Sequence, residues 1–585
     1  MNSRIFHVDP VRGDDANPGV SPDHPWRSFG RVNATVLEPG DRVILRPGVY
    51  RETLTPRGGG SPDRPVEFHF EPGRFEIETD GLTRLKLHIS NNNNWPDKPK
   101  PVAIIVQDVK HIRFIGANSN VILGGTAIYF VNDRAVDISY SGLTFDLRRP
   151  TVSEFRVVER SADSVVIRIA EGSDYAIRDG VFTWTGELGT GWTMMQEAIP
   201  EEGRCWRLGA ANPFEGARAV EAGARLVRLE YPGGAPSWLP GHHFQLRNVD
   251  RDCVGGFNTR SRDLVWRNCT FHALTGMGVI SQFTENLTYD HVNVIPPDGT
   301  LRTCPAWADM FHFSNCRGTV CLSHCRMSGS QDDPVNVHGT HLRLVEKDGT
   351  RRVLVRFAHA ETFGFAAFAP GDRVEFVNHL TLRAFAANTV AAVERRSDTD
   401  WMLTFEQDAA DFAEGNVIDN ITWHPDLEIR DCHVTMDATR AFLITTRGRV
   451  VVERNTVVRT AMSAIEINDD ARSWFESGPV RDVTIRDNTF IECGEPVIRI
   501  APENEVAAPG APVHEHIRIV NNTFQGGGCS IAARSVKGLV VTGNRFSAET
   551  VSVQTTACSD VVIEGNITAH NTAPGAGCAT RGERI

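Results

Sequence analysis

Apolar and polar positions alternate in short bursts along this chain, and helical periodicity of any length is hard to find. In the C-terminal half the bursts become a repeat. The stretches 265–271 (VWRNCTF), 287–293 (LTYDHVN) and 320–326 (VCLSHCR) are followed by 427–433 (LEIRDCH), 450–456 (VVVERNT) and 483–490 (VTIRDNTF), then by 517–524 (IRIVNNTF), 539–546 (LVVTGNRF) and 561–567 (VVIEGNI). Asn522, Asn544 and Asn566 are spaced by 22, and Asn455, Asn488 and Asn522 by 33 and 34. Coils of 22 with occasional turn insertions account for both. The apolar positions of such a unit are buried by stacking coil on coil, which predicts a right-handed parallel β-helix. Asparagine suits the corner because it tolerates a left-handed backbone and its amide can ladder to the next coil.

The first 150 residues open on a turn-rich segment, HVDPVRGDDANPGVSPDHPWRSF, and continue in short β-rich runs at 43–45, 102–106, 112–115, 121–123 and 136–145. This is similar to the cap and first coils of many right-handed parallel β-helices. The pattern changes over 151–250, where EFRVVERSADSVVIRIAEG and ARLVRLEYPGG alternate as antiparallel strands with one wet face do. A second such segment spans 340–425, with Asp348-Gly349 as a hairpin signal. The expected organisation is all-β: cap and first coils at 1–150, an inserted β-barrel or sandwich-like domain at 151–250, central coils at 251–339, a second inserted β domain at 340–425, and C-terminal coils at 426–585.

The central coils hold the candidate chemistry. Asp309 and Asp332 are 23 residues apart, one coil, so Asp309, Asp332 and Asp333 fall on neighbouring turns roughly 4.8 Å apart. Carboxylates stacked at that spacing are costly for folding and useful for acid/base chemistry. One must hold a proton for a departing oxygen while others stay ionised to accept one from water. Strand parity puts His312, Asn336, His338, Glu466 and Asn468 on one outer face, opposite Phe311, Val335, Val337, Ile465 and Ile467. By the same parity Asp332 points outward, whereas Asp309 and Asp333 need a local bend, which Pro334 favours. The outer-face residues are candidate sugar ligands, joined by Trp307, Arg302, Arg440 and Trp474. His312, Cys316, Cys321, His324 and Cys325 cluster in sequence, but no CxxC pair is present and buried thiols are the expected reading, with no metal.

A net charge of −12 and pI near 5.9 argue against nucleic acid or anionic membranes as partners. No apolar run approaches 18 residues, and the opening MNSRIFHVDP lacks an apolar leader; a cytoplasmic chain or one that begins after processing is expected. Exposed β-rich insertions are compatible with a homodimer.

DMFHF at 309–313, followed by QDDPVNVHG at 331–339, in a β-helix with two β-rich insertions, resembles glycoside hydrolase family 110. The resemblance implies an exo-acting, inverting α-galactosidase for terminal α-1,3-linked galactose, without metal or cofactor. It implies Asp332 as general acid and Asp309 with Asp333 as the base pair. Polygalacturonases have a similar Asp…Asp-Asp spacing, but their basic Arg-Ile-Lys motif for uronates is not found after the aspartates, so a neutral sugar is expected. The rivals are a polysaccharide lyase, which needs a basic catalyst, and a non-catalytic glycan-binding β-helix.

Overall fold

The structure is a computed structural model that describes residues 3–185, 195–208, 212–247, 251, 253–526, 528–547 and 552–569. Parallel strands stack into three faces. On the first, Leu264, Leu287, Val320, Leu427, Val450, Val483, Ile517 and Leu539 pair in register from coil to coil. Two positions on, Trp266, Tyr289, Leu322, Ile429, Val452, Ile485, Ile519 and Val541 form a second buried row. The inward rows are fully buried because the strand period of two turns every other side chain into the tube. Rings stack in the same way: Phe68, Phe114, Tyr140, Trp266 and Tyr289 lie 4.7–5.5 Å apart, centroid to centroid.

The asparagine corner forms a ladder, with one difference from expectation. Amides of Asn455, Asn488, Asn522, Asn544 and Asn566 link each to the next at 2.9–3.0 Å, and all five are buried. The left-handed residue is the one before each rung, namely Arg454, Asp487, Asn521, Gly543 and Gly565. The rung itself must aim its amide inward along the stack, so the neighbour makes the bend. Cys432 continues the position, its backbone N–H bonding Asn455 Oδ1 at 2.9 Å. Cys316, Cys321 and Cys325 are buried thiols, and His324 stands at an exposed corner. Asn522→Ala removes a rung bonded on both sides and is expected to cost about 1–3 kcal/mol, read as a lower denaturant midpoint; an unchanged midpoint would contradict a stabilising ladder.

Both insertions are antiparallel. Residues 152–247 form a seven-stranded sheet that, among the described residues, stays open, with the hairpin Tyr175–Arg178 and Val181–Trp184 packed beside it. Residues 342–420 form a closed six-stranded barrel, completed by Leu342 pairing with Ile418. The coil stack runs past both: Val136–Leu147 pairs directly with Arg262–Arg267, and Arg317–Ser323 with Asp426–Arg430. The described residues include one short α-helix, Phe29–Ala34, and no helix long and apolar enough to cross a membrane.

Candidate active site

The third face carries the site. Its inward row is Phe311, Val335, Phe442, Ile465, Ile498 and Ile531; the outward row beside it is His312, Asn336, Leu443, Glu466 and Arg499. Asp309 and Asp332-Asp333 precede the strands Phe311–Ser314 and Val335–Thr340, in bends rather than in the ladder. The bend that parity required is present. It brings one oxygen of each carboxylate within 4.8 Å of the others.

The three acids are held differently. Asp333 is buried and receives two parallel bonds from Arg440, Nε to Oδ1 and Nη2 to Oδ2, both 2.9 Å, with Thr439 Oγ1 at 3.1 Å from Oδ1. Asp309 is buried against His312, whose Nδ1 lies 2.7 Å from Oδ2. Asp332 is the outermost, its side chain 19% exposed, with Arg207 and Arg251 at 3.5 and 3.7 Å. Burial, then the charge of Asp332, pushes Asp309 up to about 7. Burial also pushes Asp333 up, against the opposing pull of Arg440. Burial comes first in both shifts and like charge adds to it: three close carboxylates cannot all ionise cheaply, and the cluster retains a proton near neutral pH.

A cavity of about 400 Å³ opens in front of these acids. Asn336, Glu466, Asn468, Arg440 and Trp474 line it, as the sequence suggested. Trp474 is 40% exposed and packs on His359 at 4.2 Å; its loop is held by backbone N–H groups of residues 472–475 that converge on Asp470. Glu466 pairs with Arg499 at 2.8 Å.

Four expected ligands lie elsewhere. Arg302 is locked to Asp146 at 2.8 and 3.0 Å and borders a separate cavity. Trp307 is buried, donating to Thr151 Oγ1 at 3.1 Å beneath the Arg247 guanidinium. His312 and His338 point outward from their strands but are buried under a roof. That roof is made by Asn91, Thr362 and the strand Glu476–Ser477, which pairs antiparallel with Gly339 and Thr340. They stand behind Asp309, out of reach of a sugar.

Sequence reasoning missed Arg207, Arg251, Asn91, Glu476 and Arg499. Arg499 carried a signal: it follows Glu466 by 33, the interval of Asn455 and Asn488, with outward parity in VIRI. Glu476 lies two residues past Trp474; the other three have no periodic mark.

Two donor sets among the described residues could hold a cation, the three aspartates and the surface group Asp290, His291 and His324.

Residues 352–418, within the barrel, match the family model described as GLAA-B beta-barrel domain II. The chain is 37% identical to Alpha-1,3-galactosidase A of Akkermansia muciniphila over 559 residues, 94% of this chain and 92% of that protein. It is 34% identical to Alpha-1,3-galactosidase A of Bacteroides thetaiotaomicron, covering 86% and 91%. Among solved structures it is similar to the Family 28 exopolygalacturonase of Yersinia enterocolitica, at a TM-score of 0.38 and 10% identity over 98% of this chain and 80% of that one.

Proposed function

We propose that this chain, which belongs to the α-1,3-galactosidase family, removes terminal α-1,3-linked galactose from an oligosaccharide or glycan by hydrolysis with inversion. We assign it further to glycoside hydrolase family 110, on DMFHF at 309–313 and QDDPVNVHG at 331–339. The observation that carries the reading is the carboxylate trio at the cavity, with one member facing it and two anchored behind. Asp332 is the general acid: it is the most accessible of the three, and its arginine neighbours among the described residues stand at 3.5 and 3.7 Å, outside a clamping hydrogen bond. Asp309 and Asp333 form the base pair. Oxygens within 4.8 Å can both accept from one water, which would then attack the anomeric carbon directly.

The same spacing favours a second reading. Wide-gap inverting enzymes separate acid and base by about 6.5–9.5 Å, and retaining ones by about 5–5.5 Å. The trio is tighter than the expected inverting gap, so inversion rests on the pair-bound water and on the family resemblance. Proton NMR during early turnover of an aryl α-galactoside or an α-1,3-galactosyl oligosaccharide decides it. β-Galactose is expected first; α-galactose would establish retention, and no galactose from any α-1,3-linked substrate would sink the activity.

A further inference from the structure

Behind Asp309, two histidines form a buried chain whose hydrogen count is fixed by its end. His338 Nδ1 lies 2.6 Å from the carbonyl oxygen of Gly339. A carbonyl only accepts, so this nitrogen carries a hydrogen. His338 Nε2 is 2.9 Å from His312 Nε2, and two ring nitrogens in contact share one hydrogen. His312 Nδ1 is 2.7 Å from Asp309 Oδ2, a contact that needs a third. Two neutral imidazoles supply only two hydrogens. The third is an additional proton, whether it rests on Asp309, His312 or His338.

We infer that Asp309, His312 and His338 hold one proton in common, on the side of Asp309 away from the cavity, and that Asp333 is therefore the base. This rests on the hydrolytic reading above and deepens it. With the shared proton, the Asp309 unit is neutral overall, and its charge does not compete with that of Asp333. Arg440 favours the ionised form of Asp333 by two parallel bonds, against the burial that raises it. His312 and His338 are positioning residues: buried, touching no substrate, and setting the charge beside the reacting groups.

The charged groups around the chain are consistent with this count. Glu476 Oε1 lies 3.6 Å from His338 Nε2, and Asp332 and Arg251 act on the unit from the cavity side. Asn336 Nδ2 stands 3.4 Å from both Asp309 Oδ2 and Glu476 Oε1. The network therefore holds carboxylates at both ends and a neutral amide between them.

The test has two arms. Nitrogen NMR on the wild-type protein labelled at histidine is expected to show His338 protonated at Nδ1 and His312 protonated at Nε2. A neutral His312 protonated only at Nδ1 beside a His338 that is also neutral would overturn the shared proton, whereas the same His312 beside a doubly protonated His338 would place that proton on His338. This arm needs no turnover, so it stands if galactose release is never observed. The second arm is the pH profile of kcat/KM. His338→Leu removes the acceptor; His312 can then turn its hydrogen to Asp309, which becomes a bare carboxylate beside the acid. The alkaline limb is expected to rise by about one pH unit or more, and His338→Gln, which restores an acceptor, to return it. A uniform loss at every pH with unmoved limbs would reduce the histidines to packing and overturn their role.

Discussion

Asp332→Asn is expected to lower kcat/KM on an α-1,3-galactosyl substrate by about 10²–10⁴-fold, the share that a positioned general acid contributes. The substitution keeps shape and removes only the proton that the departing oxygen must receive. Stability should change by less than about 0.5 kcal/mol, as at other sites without a buried partner. The side chain is partly open, and its arginine neighbours stand at 3.5 and 3.7 Å, beyond a firm hydrogen bond. Steady-state kinetics and a melting curve on the same preparation check both halves. Turnover within a few-fold of wild type would remove Asp332 from the acid role, and a large drop in melting temperature would show that the loss is structural.

Asp333→Asn is expected to lose activity and stability together, which separates it from its neighbour. Arg440 is held by Asp333 through two bonds, and that pairing raises the guanidinium further, against the effect of burial. Replacing the carboxylate by an amide leaves a charge with its main partner gone. Breaking a buried pair in this way costs at most about 3–5 kcal/mol, reduced here because Glu466 remains 3.9 Å from Arg440 Nη1. Denaturant unfolding should show the loss. The double variant Asp333→Asn with Arg440→Met should recover part of it while staying inactive. Equal stability of Asp332→Asn and Asp333→Asn would contradict the pairing.

Much of this was legible in the residues because a coil has a fixed length. The interval from Asp309 to Asp332 equals one turn, so their proximity follows from the repeat before any contact is known. Parity likewise placed His312, Asn336 and Glu466 on one outward row, where they are. What parity could not supply is the roof. Asn91, Thr362 and Glu476 arrive from three segments distant in sequence, and no local pattern states which outward residues they cover. Hence His312 and His338 read as sugar ligands when they are buried. Arg302 and Trp307 were misjudged for a related reason: the loop before Asp309 turns their side chains away from the cavity, where Asp146 of the coil strand Val136–Leu147 and Thr151 engage them. The corner was half legible, since the amides are named by the repeat but the bent residue is the one before.

Because Arg317–Ser323 pairs straight onto Asp426–Arg430, the barrel enters and leaves between coils that are already joined. An inserted segment of this kind is neutral to the scaffold: it can lengthen, shrink or be exchanged during descent without a strand having to find a new neighbour. Among the described residues none that lines the cavity lies between 342 and 420, so what the barrel passes to the site goes through Thr362 on Asn91 and His359 on Trp474.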